Sequence, residues 1–217
     1  MRGFYIGRFQ PYHNGHHKMV EAITAEVDEL VLGIGSAGHS HTQRNPFTAG
    51  ERVMMVTKSV ADFDITTYAV PIEDLDRNSV WVSHVQSMSP TFDVAYSNNP
   101  LVIQLFSEAD VEVRQSPMFN RGTLKGTTLR ERMVHDNDWR SLVPPQVVDV
   151  IEEIDGIERM RRLGATDTSE DTNEVSDTVA HTRTNEIENH NADMDDNSNS
   201  NSNPNPNPNP NPGTTEQ

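Results

Sequence analysis

Between positions 7 and 16 the chain reads Gly7-Arg8-Phe9-Gln10-Pro11-Tyr12-His13-Asn14-Gly15-His16. His13 and His16 stand three apart and can point at one anion, Arg8 adds a fixed charge and a fork of donors, and Gly15 lets backbone approach a ligand closely. If a helix starts here, its free N–H groups and partial positive charge favour a phosphate. Either histidine alone reads as an ordinary polar loop residue. The run as a whole reads as an anion site.

The periodicity supplies that helix and the elements around it. Residues 3–7 form a short apolar run bounded by loop residues, as a buried strand does. Met19, Val20, Ile23, Val27 and Leu30 then recur at helical spacing. A second buried strand is expected over 30–35, followed by a polar stretch rich in His and Gly. Thr48-Ala49-Gly50-Glu51 is a capping box that predicts a helix to about residue 60. Strands near 65–72, 92–96 and 111–114 alternate with helices near 80–88, after Asn99-Pro100, over 127–134 and, as one or two pieces, over 144–163. Pro100 suits a first helical turn, where its missing N–H has no bond to make.

Such alternation implies an α/β domain: a Rossmann-like, doubly wound parallel sheet with helices on both faces and additional helices at its C-terminal end. Ligands bind these sheets beyond the carboxyl ends of the strands, near the point where strand order reverses. The unusual residues lie in the loops expected there.

Composition sets the outer limits. Of 217 residues with a net charge of −16, the part after residue 165 holds 11 acidic residues and one Arg, few periodic apolar positions, and an Asn-Pro alternation near its end. It cannot bury enough apolar surface to offset the entropy of ordering, so residues 166–217 are expected to be a disordered acidic tail on a working domain of residues 1–165. Neither part carries the basic stripe that nucleic acid requires. Lys is scarce, 3 against 14 Arg, and an acidic, Lys-poor protein suits a salt-rich cytoplasm, where repulsion between carboxylates is screened. Without cysteine there is no disulfide, zinc-thiolate site or thiol nucleophile. Neither a signal peptide nor a membrane span is evident, so a cytoplasmic location is expected.

Gly7-Arg8-Phe9-Gln10-Pro11 followed by His13-x-Gly15-His16 resembles the signature of the HxGH nucleotidyltransferases, and its context resembles their archaeal nicotinamide mononucleotide (NMN) adenylyltransferase branch. Leu124-Lys125-Gly126-Thr127-Thr128-Leu129-Arg130 partly matches the second signature of that superfamily, I-S-S-T-x-x-R. Thr127 and Arg130 fit, while Lys125 and Gly126 replace two serines. Ile34-Gly35-Ser36-Ala37, the block from Arg44 through Asn45-Pro46-Phe47 to Arg52, and Ser97-Asn98-Asn99-Pro100 extend the similarity across most of the first 163 residues.

The resemblance implies an enzyme that joins AMP from ATP to NMN, giving NAD and pyrophosphate. His13, His16, Arg44 and Arg130 would be catalytic. Gly7, Arg8, Phe9, Gln10, Gly15 and Thr127 would contact ATP and its phosphates, with Thr127 a candidate N-cap for the helix carrying Arg130. Asn78 and Trp81 would receive the nicotinamide, the indole as a stacking face. For Arg44 a solvated loop cation is the competing reading, for Arg130 a helix-surface residue, and for Trp81 core packing. Mg²⁺ or another divalent cation would be held mainly by ATP phosphates. A protein metal site is not expected, since His39 and His41 lack a third ligand. The resemblance further implies a homo-oligomer, a hexamer in archaeal relatives.

Other readings are a flavin mononucleotide, phosphopantetheine or glycerol phosphate enzyme of the same superfamily, a class I aminoacyl-tRNA synthetase, or a non-catalytic nucleotide sensor. Acidity weighs against the synthetase. Retention of His13, His16 and Arg130 together weighs against the sensor. Arg159, Arg161 and Arg162 are expected near a helix C-terminus, complementing its dipole. Glu152 and Glu153 are expected on a solvated helix face.

Overall fold

A computed structural model describes residues 1–115, 125–135 and 138–170, with side chains through residue 165. Five strands form one parallel sheet in the order β3-β2-β1-β4-β5. They are β1 (Arg2–Gly7), β2 (Glu29–Ile34), β3 (Thr66–Pro71), β4 (Val94–Tyr96) and β5 (Glu112–Arg114). Strands are added outward from β1 to β3, and the chain then crosses to the other side of β1 for β4 and β5. Strand order therefore reverses between β1 and β4, and the crevice above their carboxyl ends is the place for a ligand. Register runs from Arg2 opposite Glu29 to Gly7 opposite Ile34, and from Gly3 opposite Val94 to Tyr5 opposite Tyr96.

Alternation along the strands produces two cores, one on each face. Tyr5, Leu30, Leu32, Ile34, Val94 and Tyr96 face one way and pack with the apolar stripes of α1 (Asn14–Thr24), α2 (Ala49–Val60), α5 (Gly126–Val134), α6 (Pro145–Glu153) and α7 (Gly156–Glu170). Phe4, Val31 and Ala95 face the other way, with α3 (Trp81–Met88) and α4 (Pro100–Glu108). The expected doubly wound class is the one observed. Among the described residues no helix is long and apolar enough to cross a membrane.

Differences in the elements have local causes. Helix α1 ends at Thr24, so Val27 and Leu30, read at helical spacing, join the same core without belonging to the helix; Leu30 is already in β2. The C-terminal pattern resolves into two helices, and α7 runs through position 165 to Glu170. The expected tail beyond it lies outside the described residues. That same span places Arg159, Arg161 and Arg162 in the N-terminal half of α7, which overturns the dipole account of the cluster. Side-chain and carbonyl partners explain these cations instead. Arg159 makes a two-pronged pair with Glu51 (2.7 and 2.8 Å), Arg161 donates to the Val134 carbonyl (3.3 Å), and Arg162 meets Glu158. Glu152 and Glu153 lie exposed and pair with Arg140 and Lys58.

Candidate active site

The loop after β1 turns sharply at Phe9, whose φ of 50° lies in the left-handed region, an uncommon place for a bulky residue. This turn drops the Phe9 ring into the core, where it packs edge-on to His16 with centroids 4.8 Å apart. A Cβ on Gly7 would sit 2.9 Å from that ring. Gly7 is therefore needed for packing, and the Phe9 side chain supports His16 from within the core.

Helix α1 is capped by its own histidines. Nδ1 of His13 accepts the Gly15 N–H at 3.1 Å, and Nδ1 of His16 accepts the His13 N–H at 3.3 Å. The two reciprocal bonds form a capping box in a sequence that lacks the usual Ser, Thr or Asp. Because each Nδ1 is an acceptor, the neutral tautomer carries its proton on Nε2. The rings stack with centroids 3.7 Å apart, and in the neutral tautomer each carries its N–H donor at Nε2. Burial, reinforced by the nearby positive charge of Arg8, pulls the His16 pKa down to about 3. The Gly15 N–H is thus held by the His13 ring within the cap.

Gln10 is also engaged within the protein. Its amide nitrogen donates to the Phe47 carbonyl at 2.9 Å and its amide oxygen accepts the Phe47 N–H at 3.0 Å. This buried two-point clamp fixes the loop after β1 to the segment carrying half-buried Arg44, three residues before Phe47. From the other side Arg159 donates to the Pro46 carbonyl at 3.3 Å. The Thr48–Glu51 capping box forms as expected at the start of α2.

The second signature meets the first. Arg130, 9% exposed, donates from Nη1 to the Gln10 carbonyl at 3.0 Å and from Nη2 toward the Thr127 hydroxyl at 3.5 Å. It is thus no helix-surface arginine. The N-cap of α5 is Lys125, with extended backbone, and Thr127 lies exposed inside the first turn. The expectation that Thr127 caps the helix is corrected: the helix begins two residues earlier, at a position where Gly126 brings its backbone close to the Arg130 guanidinium.

Asn78 begins a short 3-10 turn that leads into α3. Trp81 follows it, 4% exposed and edge-on to Phe106 at 5.3 Å within the second core. Core packing is what this geometry displays, with Asn78 half-buried at the rim. Among the described residues no cluster of three or more His, Cys, Asp or Glu side chains is placed to hold a metal ion.

Sequence reasoning passed over one buried residue in this region. Arg52 of α2, quoted only as the end of a matching block, lies fully buried beneath the loops after β1 and β2. A charged residue at a core-facing position of a helical stripe was the available signal.

Residues 4–176 match the model of the cytidylyltransferase-like family. The chain is 75% identical over 167 residues to a nicotinamide-nucleotide adenylyltransferase of Halorubrum lacusprofundi, covering 77% of this chain and 95% of that one. It is 57% identical over 166 residues to the protein of the same name from Methanoculleus marisnigri, covering 76% of this chain and 99% of that one. The fold is similar, at a TM-score of 0.64 and 17% identity, to a bifunctional NMN adenylyltransferase/ADP ribose pyrophosphatase of Francisella tularensis complexed with AMP and a manganese ion. That likeness covers 77% of this chain and 53% of the other. The chain belongs to the cytidylyltransferase-like family of nucleotidyltransferases, in its nicotinamide-nucleotide adenylyltransferase branch.

Proposed function

We propose that this chain transfers the AMP portion of ATP to the phosphate of NMN, giving NAD and releasing pyrophosphate. The reading is carried by the joining of the two signatures through Arg130 and Gln10 at the predicted ligand edge, in a chain whose relatives bear that activity in their names. An oxygen of the NMN phosphate attacks the α-phosphorus of ATP as the bond to the β-phosphate oxygen breaks. With a second pKa around 6, that phosphate is already largely ionised near neutral pH. No general base or protein nucleophile is required. Alignment of two repelling anions and stabilisation of charge on the α-phosphoryl group and the departing pyrophosphate remain to be supplied.

The Nε2–H edges of His13 and His16 suit that task, since neutral donors strengthen their bonds as charge grows without themselves changing protonation state. Arg8 and Arg44 would flank the reacting phosphates, and Arg130 with Thr127 would hold the β- and γ-phosphates. Asn78 would bond the carboxamide and Trp81 would underlie the nicotinamide ring. Gly7, Phe9, Gln10 and Gly15 would act through the shape of the loop. A divalent cation such as Mg²⁺, held mainly by ATP oxygens, would neutralise further charge. We further propose a cytoplasmic homo-oligomer, a hexamer, and a dispensable acidic tail that aids solubility. Release of pyrophosphate with NMN, compared with flavin mononucleotide and phosphopantetheine, tests the substrate assignment.

A further inference from the structure

Arg52 is 0% exposed, and its guanidinium donates to four backbone carbonyls. Nε reaches Thr48 at 3.2 Å, Nη1 reaches Arg8 at 2.8 Å and Gly35 at 2.6 Å, and Nη2 reaches Ser36 at 3.0 Å. Among the described residues no carboxylate is hydrogen-bonded to it. A buried cation whose hydrogen bonds all go to peptide carbonyls, with Asp74 and Glu51 acting on it only through space, is an expensive way to join loops. Burial lowers its pKa only to about 10, so it remains charged near neutrality.

Its four acceptors have a pattern. Arg8 precedes Phe9, Gly35 precedes Ser36, and Phe9 and Ser36 both have φ of 50°. Left-handed conformations of non-glycine residues persist only where their surroundings hold them. In a trans peptide the N–H points opposite to the C=O. Drawing the Arg8 and Gly35 carbonyls onto Arg52 therefore turns the Phe9 and Ser36 N–H groups away from it. Among the described residues neither amide donates a hydrogen bond. They follow the carboxyl ends of the adjacent strands β1 and β2, the edge to which the proposed function assigns the phosphates.

We propose that Arg52 is a positioning residue for phosphoryl transfer: it holds the Arg8–Phe9 and Gly35–Ser36 peptides so that two backbone donors face the substrate anions, and sets a buried positive charge beneath them. The inference rests on the adenylyl-transfer reading. A lysine keeps the charge but offers three donors and no planar fork, so it cannot hold all four carbonyls in this geometry.

The test compares wild type, Arg52→Lys and Arg52→Met in melting, kcat and KM for each substrate. Folded Arg52→Lys should lose about 100-fold in kcat, as expected for misplacement of reacting groups, with melting within a few degrees of wild type. Normal kcat in folded Arg52→Lys overturns the proposal. A second measurement requires no variant: amide NMR signals of Phe9 and Ser36 in the wild-type chain should shift on addition of inorganic pyrophosphate. Unmoved signals also overturn it, even if both variants unfold. If wild type does not turn over NMN, the adenylyl-transfer reading fails, while the amide shifts still decide whether this clamp serves an anion.

Discussion

The Arg130 guanidinium bonds the Gln10 carbonyl at 3.0 Å across 120 positions of sequence, and Gln10 in turn holds Phe47 through both ends of its side chain. The two loops carrying Arg8 and Arg44 and the helix α5 carrying Arg130 thereby share one frame. In this frame Arg130 is a donor to the loop, and the proposed function gives it a second role as a cation for phosphates.

Arg130→Lys should separate those roles. The ammonium keeps charge but loses the fork that reaches Gln10 and Thr127 together. We expect kcat to fall about 10- to 100-fold, within the range for loss of one preorganised donor or positioning contact, with a raised KM for ATP. Steady-state kinetics at saturating NMN check this, and unchanged constants would remove Arg130 from the site.

His16 should stay neutral through the working pH range of the ligand-free protein. Its folded pKa of about 3 lies below the ordinary value of 6.5, so below pH 6.5 the unfolded chain takes up a proton that the folded chain refuses. The stability contributed by neutral His16 is present above pH 6.5 and is lost progressively as pH falls toward 3. NMR of the imidazole should show no titration between pH 5 and 8, whereas a midpoint near 6.5 would contradict the half-buried, capping role. His16→Ala should lower kcat by about 100-fold or more with little change in KM for NMN.

Local signals made much of this legible. The Thr48–Glu51 box and Asn99-Pro100 each specify a helix start within four residues, and both helices begin there. The alternation of Phe4 and Tyr5, or of Val31 and Leu32, is enough to assign opposite faces of a sheet. The His13–His16 capping box escaped because imidazole is seldom a cap, and the Gln10–Phe47 and Arg52 clamps because their partners are distant in sequence. The Arg159–Glu51 pair depended on where α7 begins, which apolar spacing left open by several residues.

Trp81 needs two substitutions, because it fills the core and is also the proposed stacking face for the nicotinamide ring. Trp81→Ala should destabilise the fold by about 3 to 5 kcal/mol through the cavity it leaves. Trp81→Phe retains much of the packing and should mainly raise KM for NMN, leaving KM for ATP near wild type. Unchanged KM for NMN in a stable Trp81→Phe protein would assign the indole to packing alone.

Truncation should respect α7. A chain ending at Glu170 retains Arg159 and its bonds to Glu51 and Pro46, and should match the full chain in turnover and melting across a KCl series. Ending before Gly156 removes that latch from the segment carrying Arg44 and should lower both. Loss of activity on cutting at Glu170 would give the acidic tail a part in the working enzyme.

The central claim is the identity of the phosphate that attacks ATP. The most direct measurement is kcat/KM for NMN, flavin mononucleotide and phosphopantetheine with ATP and Mg²⁺ in concentrated KCl, each product identified by mass. NAD and pyrophosphate formed in equal amounts from NMN, at a kcat/KM at least about 100-fold above the other two acceptors, is the expected result; that ratio corresponds to about 2.7 kcal/mol of transition-state discrimination. Efficient adenylylation of flavin mononucleotide or phosphopantetheine with none of NMN, or nucleotide binding without any turnover, would contradict it.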